Sequence, residues 1–125
     1  MNSKGKKKKM EWTTSEKDGI LVVTLDGRLV AASVDDVQDA ILPLIEKNPN
    51  AVFDLTKMVH IDSSGLGLLV RLLQKAMEKG GALKLANLQP HPKIVFDITK
   101  AHRVFEIHDS LDAALASFQK KDAAQ

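Results

Sequence analysis

The sequence predicts an α/β fold in one domain, with a mixed, mostly parallel sheet, an N-terminal antiparallel hairpin and about four helices. Three observations carry the fold class. Short apolar runs of strand length alternate with longer segments whose apolar residues recur every three to four positions. The first two runs are separated by Asp18-Gly19, a two-residue hairpin signal. Each later strand is followed by a helix, the order that makes neighbouring strands parallel through right-handed crossovers. At 125 residues the chain suits one domain, able to bury about two-thirds of the surface its unfolded form exposes.

Residues 1–9 are low in complexity and are expected to form a disordered Lys-rich tail. The domain is expected over residues 10–119, with a flexible end over 120–125. Glu11 to Glu16 is rich in strand-favouring residues, and Ile20 to Leu25 is a short apolar strand; the two should pair antiparallel. Asp26-Gly27 should break or bulge the second strand. Ser33 followed by Asp36 has capping-box spacing, and Val34, Val37, Ile41, Leu44 and Ile45 recur at helical spacing. Pro43 inside that pattern should kink or shorten the helix. Ala51 to Leu55 reads as a buried strand, and Thr56 to Asp62 as the crossing to a helix over about Ser63 to Lys79, stopped by Gly80-Gly81. Ala82 to Ala86 alternates like a strand. Pro92 fits the first turn of a short helix ending near Lys100. Val104 to Ile107 is a short strand. Ser110 caps a last helix with Leu111, Ala114, Leu115 and Phe118 on one face.

Composition removes several function classes. Hydrophobic residues make up 44% and charged residues 27%, as in globular proteins. There is no cysteine, which excludes a disulfide scaffold, a cysteine nucleophile and a thiolate metal site; this suits a reducing cytosol, and a cytoplasmic location is expected. No run approaches the roughly 18 apolar residues of a membrane span, and no apolar stretch follows the basic N-terminus as a secretory signal requires. The net charge is +2, and Lys4, Lys6, Lys7, Lys8 and Lys9 supply five positive charges, so residues 10–125 carry 2 − 5 = −3. With no aromatic residue among them, these lysines read as a solvated extension, and direct DNA binding is not expected. His60, His91, His102 and His108 have no metal-ligand spacing. Ser64 lacks the Gly-x-Ser-x-Gly elbow of a hydrolase, and no lysine follows the glycines as in a P-loop. No catalysis, cofactor or metal is expected.

The informative stretch is Val59-His60-Ile61-Asp62-Ser63-Ser64-Gly65-Leu66-Gly67, which follows a buried strand and opens a long helix. In open α/β sheets, ligands and partners dock outside the carboxyl ends of strands. Asp62 or Ser63 can serve as N-cap, leaving Ser64 in the first turn with an accessible hydroxyl. Gly65 and Gly67 leave the backbone there uncovered. A phosphate on Ser64 would meet the positive end of the helix dipole and would set about −1.5 to −2 charge beside Asp62. An ordinary capped helix with glycines for close packing fits the same residues. At about 100° per residue, Leu66, Leu69, Val70, Leu73 and Met77 fall in one broad stripe, the expected core face. Leu68 and Leu72 fall on the far side and are candidate partner contacts, unless neighbouring elements cover them.

The run Phe53-Asp54-Leu55-Thr56-Lys57-Met58-Val59-His60-Ile61-Asp62-Ser63-Ser64-Gly65-Leu66-Gly67-Leu68-Leu69 resembles the signature of STAS domains, specifically of bacterial anti-sigma factor antagonists. Leu83-Lys84-Leu85-Ala86-Asn87-Leu88 and Ile107-His108-Asp109-Ser110-Leu111-Asp112-Ala113-Ala114-Leu115 resemble the family's ending. The resemblance implies a partner switch. The unphosphorylated protein binds an anti-sigma factor that is also a serine kinase and so frees the sigma factor. Phosphorylation of the serine before the glycine, Ser64, parts the complex, and a serine phosphatase restores it. One position departs from the family pattern: members often carry Asp shortly after the Gly-x-Leu of the second strand, where Gly27-Arg28-Leu29 is followed here by Val30. Val30, Ala31 and Ser33 are expected to form a docking surface. STAS-like domains also serve as non-catalytic adaptors in lipid-transport or signalling assemblies, and such an adaptor would tolerate Ser64→Ala.

Overall fold

The computed structural model describes residues 10–123. The tail expected over residues 1–9 lies outside the described residues, as do the last two residues of the expected flexible end. Asp18 and Gly19, both at positive φ, turn β1 (Met10–Lys17) into β2 (Ile20–Leu29), the backbone twist that two-residue hairpins favour. The chain continues through α1 (Ala31–Lys47), β3 (Asn50–Ile61), α2 (Ser63–Glu78), β4 (Ala82–Ala86), α3 (Pro90–Thr99), a 3-10 turn (Ala101–Arg103), β5 (Glu106–His108) and α4 (Leu111–Ala123). The five strands lie in the order β1-β2-β3-β4-β5, with β1 antiparallel to β2 and every other pair parallel.

Strand alternation sends side chains to two faces. Leu21, Val23, Leu25, Ala51, Phe53, Leu83 and Leu85 meet α1, α2 and α3 in the larger core. Ile20, Val22, Val52 and Ala86 meet Ala114 and Leu115 of α4 on the other face. Ser110 caps α4 through a bond from the Ala113 N–H at 3.0 Å. Lys84, also beneath α4, is buried with its charge satisfied: Nζ donates to Ser117 Oγ at 2.7 Å, pairs with Glu106 Oε2 at 3.2 Å and lies 4.2 Å from the Phe118 ring centre.

Four expectations are corrected. β3 does not end at Leu55. It runs on to Ile61, because Met58 and Ile61 are buried and the extension pairs with the end of β2. α1 starts at Ala31 rather than at Ser33. It also runs through Pro43 to Lys47; Pro43 and Asp39 are both exposed, so water can serve the carbonyl that the proline leaves without a donor. The last strand begins at Glu106 rather than Val104, because Phe105 turns inward against Phe96, ring centres 5.9 Å apart.

The pairing of β2 with β3 positions the site. The register slips at Thr24/Asp26 and again at Gly27/Arg28, each time spending one extra residue of β3. Gly27 takes φ 119 at the second slip, a conformation open to glycine. The two slips bring Leu29 opposite Ile61. Both strands therefore end side by side, and each passes directly into a helix.

Candidate functional site

Two helix starts share one capping carboxylate. Asp62 is the N-cap of α2, and its Oδ1 accepts from the Gly65 N–H at 2.9 Å. Its Oδ2 accepts from the Ala31 N–H at 3.1 Å, the first residue of α1. Val30, the N-cap of α1, has no side-chain oxygen to do this, so the cap is supplied from 31 residues away. Burial pushes the Asp62 carboxyl up, but the N–H groups of Gly65, Ala31 and Ser64, with a smaller contribution from His60, outweigh it and hold the group below its ordinary value. Both oxygens accept from backbone N–H groups, so the carboxylate serves the two helix starts.

Gly65 brings α2 hard against the end of β2. A Cβ there would stand 2.1 Å from the Leu29 carbonyl oxygen and 2.9 Å from its carbon. That contact lets Asp62 reach across to Ala31. Gly67 differs: the nearest atom to a Cβ there is Arg71 Nη1 at 3.7 Å, an ordinary contact.

Ser63 and Ser64 are exposed in the first turn of α2. They line an open groove of about 300 Å³ with Gly67 and Arg71 on the α2 side and Ala31, Val34 and Asp35 on the α1 side. The structure thus brings together Asp62, Ser63, Ser64, Gly65, Gly67 and Ala31. Val30 is half-buried at the start of α1. Ser33 is buried and internal: its Oγ accepts from the Val30 N–H at 3.0 Å and donates to the Arg28 carbonyl at 2.8 Å. It holds the bend between β2 and α1 and presents nothing to a partner, which corrects its expected place on the docking surface.

Leu68 and Leu72 are a second correction. Both are fully buried, while Met77, expected in the core, is 62% exposed. α2 packs against α1 as well as the sheet, so its buried arc runs through Gly65, Leu68, Leu69, Leu72 and Ala76. The outer face carries Ser64, Arg71, Gln74 and Glu78. Three groove residues are not among the site residues expected from sequence: Val34, Asp35 and Arg71. The signal for Arg71 was its spacing, seven residues and nearly two turns after Ser64.

A hairpin leading into parallel strands, helices on both faces, and a capped serine–glycine turn after β3 form one pattern. Residues 11–114 match the STAS domain family. The chain belongs to the STAS family. Its relatives include BtrV of Bordetella bronchiseptica, provisionally named an anti-sigma factor antagonist, 28% identical over 88% of this chain and 96% of that one. The anti-sigma-B factor antagonist of Bacillus subtilis is 29% identical over 68% of this chain and 78% of that one. Among solved structures, the Bacillus anti-sigma factor antagonist SpoIIAA in its unphosphorylated form has a TM-score of 0.75 at 18% identity, over 88% of this chain and 97% of that one; its phosphorylated form gives 0.67. At that identity the likeness is one of fold. This STAS domain is a non-catalytic module, and among the described residues no helix is long and apolar enough to cross a membrane.

Proposed function

We propose that this STAS domain is an anti-sigma factor antagonist working in a cytoplasmic partner switch. Unphosphorylated, it binds an anti-sigma factor that is also a serine kinase; phosphorylated on Ser64, it lets go. The observation that carries this reading is the exposed Ser64 in the first turn of α2, lining an open groove between two helix starts that one carboxylate ties together. A kinase reaching the groove would move the γ-phosphoryl group of ATP to Ser64 Oγ. The bond to the ADP oxygen breaks, the bond to Oγ forms, and the hydroxyl proton passes to a base on the kinase. A serine phosphatase would reverse the mark by hydrolysis.

The physics supports a switch that leaves the fold standing. The helix start tolerates an anion, and Ser64 holds nothing buried. The added charge of about −1.5 to −2 lands beside Asp62 and Asp35, so a partner surface fitted to the bare groove meets strong repulsion. Ala31, Ser63 and the edge of Val30 are the partner contacts in this reading; Asp62 and Gly65 shape the turn, and Gly67 keeps the groove clear. Leu68 and Leu72 play no part in it.

The test is a pull-down from the source cells with wild-type, Ser64→Ala and Ser64→Asp baits, with phosphosite mapping of the endogenous protein. A kinase-like partner on wild type and Ser64→Ala, lost on Ser64→Asp, with phosphate on Ser64, upholds the reading. The same partners on all three baits and no phosphate on Ser64 would make the domain a constitutive adaptor.

A further inference from the structure

The groove has a cation built into it. Of its lining residues, Asp35 and Arg71 carry charge, and Arg71 alone is positive. Arg71 follows Ser64 by seven residues, which places it about 20° short of two full turns and about 10.5 Å along the axis. Side chains on a helix lean toward its N-terminus, and Arg71 does so: its Nη1 lies 3.7 Å from where a Cβ at position 67 would stand. Position 67 is in turn the i+3 neighbour of Ser64, about 5–6 Å away between Cβ positions. Glycine at 67 leaves that ground open. The fork is also held from α1, since Arg71 Nε donates to Gln38 Oε1 at 3.0 Å. That bond uses Nε and leaves Nη1, the atom beside position 67, for another partner.

We propose that Arg71 is the receiving cation for a phosphate on Ser64, held ready by Gln38 and reached across the bare backbone of Gly67. This rests on the reading of Ser64 as phosphate acceptor and deepens it. A phosphoserine drawn to Arg71 lies along α2 over Gly67 and occupies the groove between α1 and α2. The mark then acts twice: it makes a groove of balanced charge negative and fills the space a partner would enter. The ion pair also offsets the repulsion from Asp35 and Asp62, so the phosphoserine stays docked along α2 until a phosphatase draws it off the guanidinium. A guanidinium suits this task because its planar fork meets two phosphate oxygens at once, which an ammonium does not. Gln38 and Gly67 are positioning residues in this scheme.

The test installs phosphoserine at position 64 during translation, so no kinase is needed. The second pKa of the phosphate is then read by phosphorus NMR titration in wild type, Arg71→Gln, Arg71→Lys and Gly67→Leu. The helix start acts equally on all four, so differences report the pairing. The expected result is a wild-type pKa lower than that of Arg71→Gln by about half a unit to one unit, with Arg71→Lys between them. Gly67→Leu should raise the value toward that of Arg71→Gln although the arginine remains. Equal values in wild type and Arg71→Gln, or a Gly67→Leu value unchanged from wild type, overturn the assignment. Failure of the Ser64 reading itself shows elsewhere, as absence of the phosphate in cells.

Discussion

Asp62 is the most exposed point of this account, because one side chain is asked to start two helices. Replacing it with alanine removes acceptors from the N–H groups of Gly65 and Ala31. Gly65 is buried, so its N–H is left without a partner, at about 1–3 kcal/mol. Ala31 is exposed and water takes its N–H, leaving a cap loss of about 0.5–1 kcal/mol. The sum for Asp62→Ala is about 1.5–4 kcal/mol. Asparagine keeps one oxygen for Gly65 but turns an NH2 toward the Ala31 N–H, so Asp62→Asn should cost about 1 kcal/mol. The pH dependence has a definite sign. The folded-state carboxyl lies below its ordinary value of 3.8, so its stabilisation is complete above that value and is lost as pH falls through the folded-state pKa. The gap between wild type and Asp62→Ala should be constant above about pH 5 and narrow in acid. Urea unfolding followed by far-ultraviolet circular dichroism, at constant slope, measures both. An Asp62→Ala cost within about 0.5 kcal/mol of zero, or a gap that does not narrow below pH 4, would refute the shared cap.

Two glycines only two residues apart on α2 should behave oppositely. Gly65→Ala drives a Cβ into the Leu29 backbone, which no rotamer relieves, and should cost about 3 kcal/mol or more. Gly67→Ala meets only ordinary contact and should be neutral or stabilising by up to about 1 kcal/mol; chemical denaturation of the two variants checks the order. Leu72→Ala should cost about 2–5 kcal/mol as a core cavity, where a surface partner contact would cost little; thermal unfolding decides between them.

Much of this fold is legible in the sequence, for local reasons. Asp18-Gly19 marks the hairpin because few residue pairs accept two positive φ angles. Ser110 and the apolar set of Leu111, Ala114, Leu115 and Phe118 mark α4 because cap and face lie within one helix. Where the structure departs from the sequence pattern, distant partners decide. Ser33 looks like an N-cap, but α1 starts earlier because its capping oxygen comes from Asp62. Residues 56–61 read as a crossing because they pair only with the end of β2. The face of α2 was misplaced because Leu66, Leu68, Leu69, Val70, Leu72 and Leu73 surround most of the helix. The polar set of Ser64, Arg71, Gln74 and Glu78 was the better guide to its outer side. Ser64 and its neighbours were legible as a capped turn, whereas the groove needed α1 folded against α2.

The central claim is that phosphate on Ser64 controls partner binding. The most direct measurement is titration calorimetry of the recovered kinase partner against the unmodified protein and against the same protein carrying phosphoserine at position 64. The account predicts binding by the unmodified form and a loss of about 100-fold or more on phosphorylation, roughly 2.7 kcal/mol. Equal affinity for the two forms would contradict it.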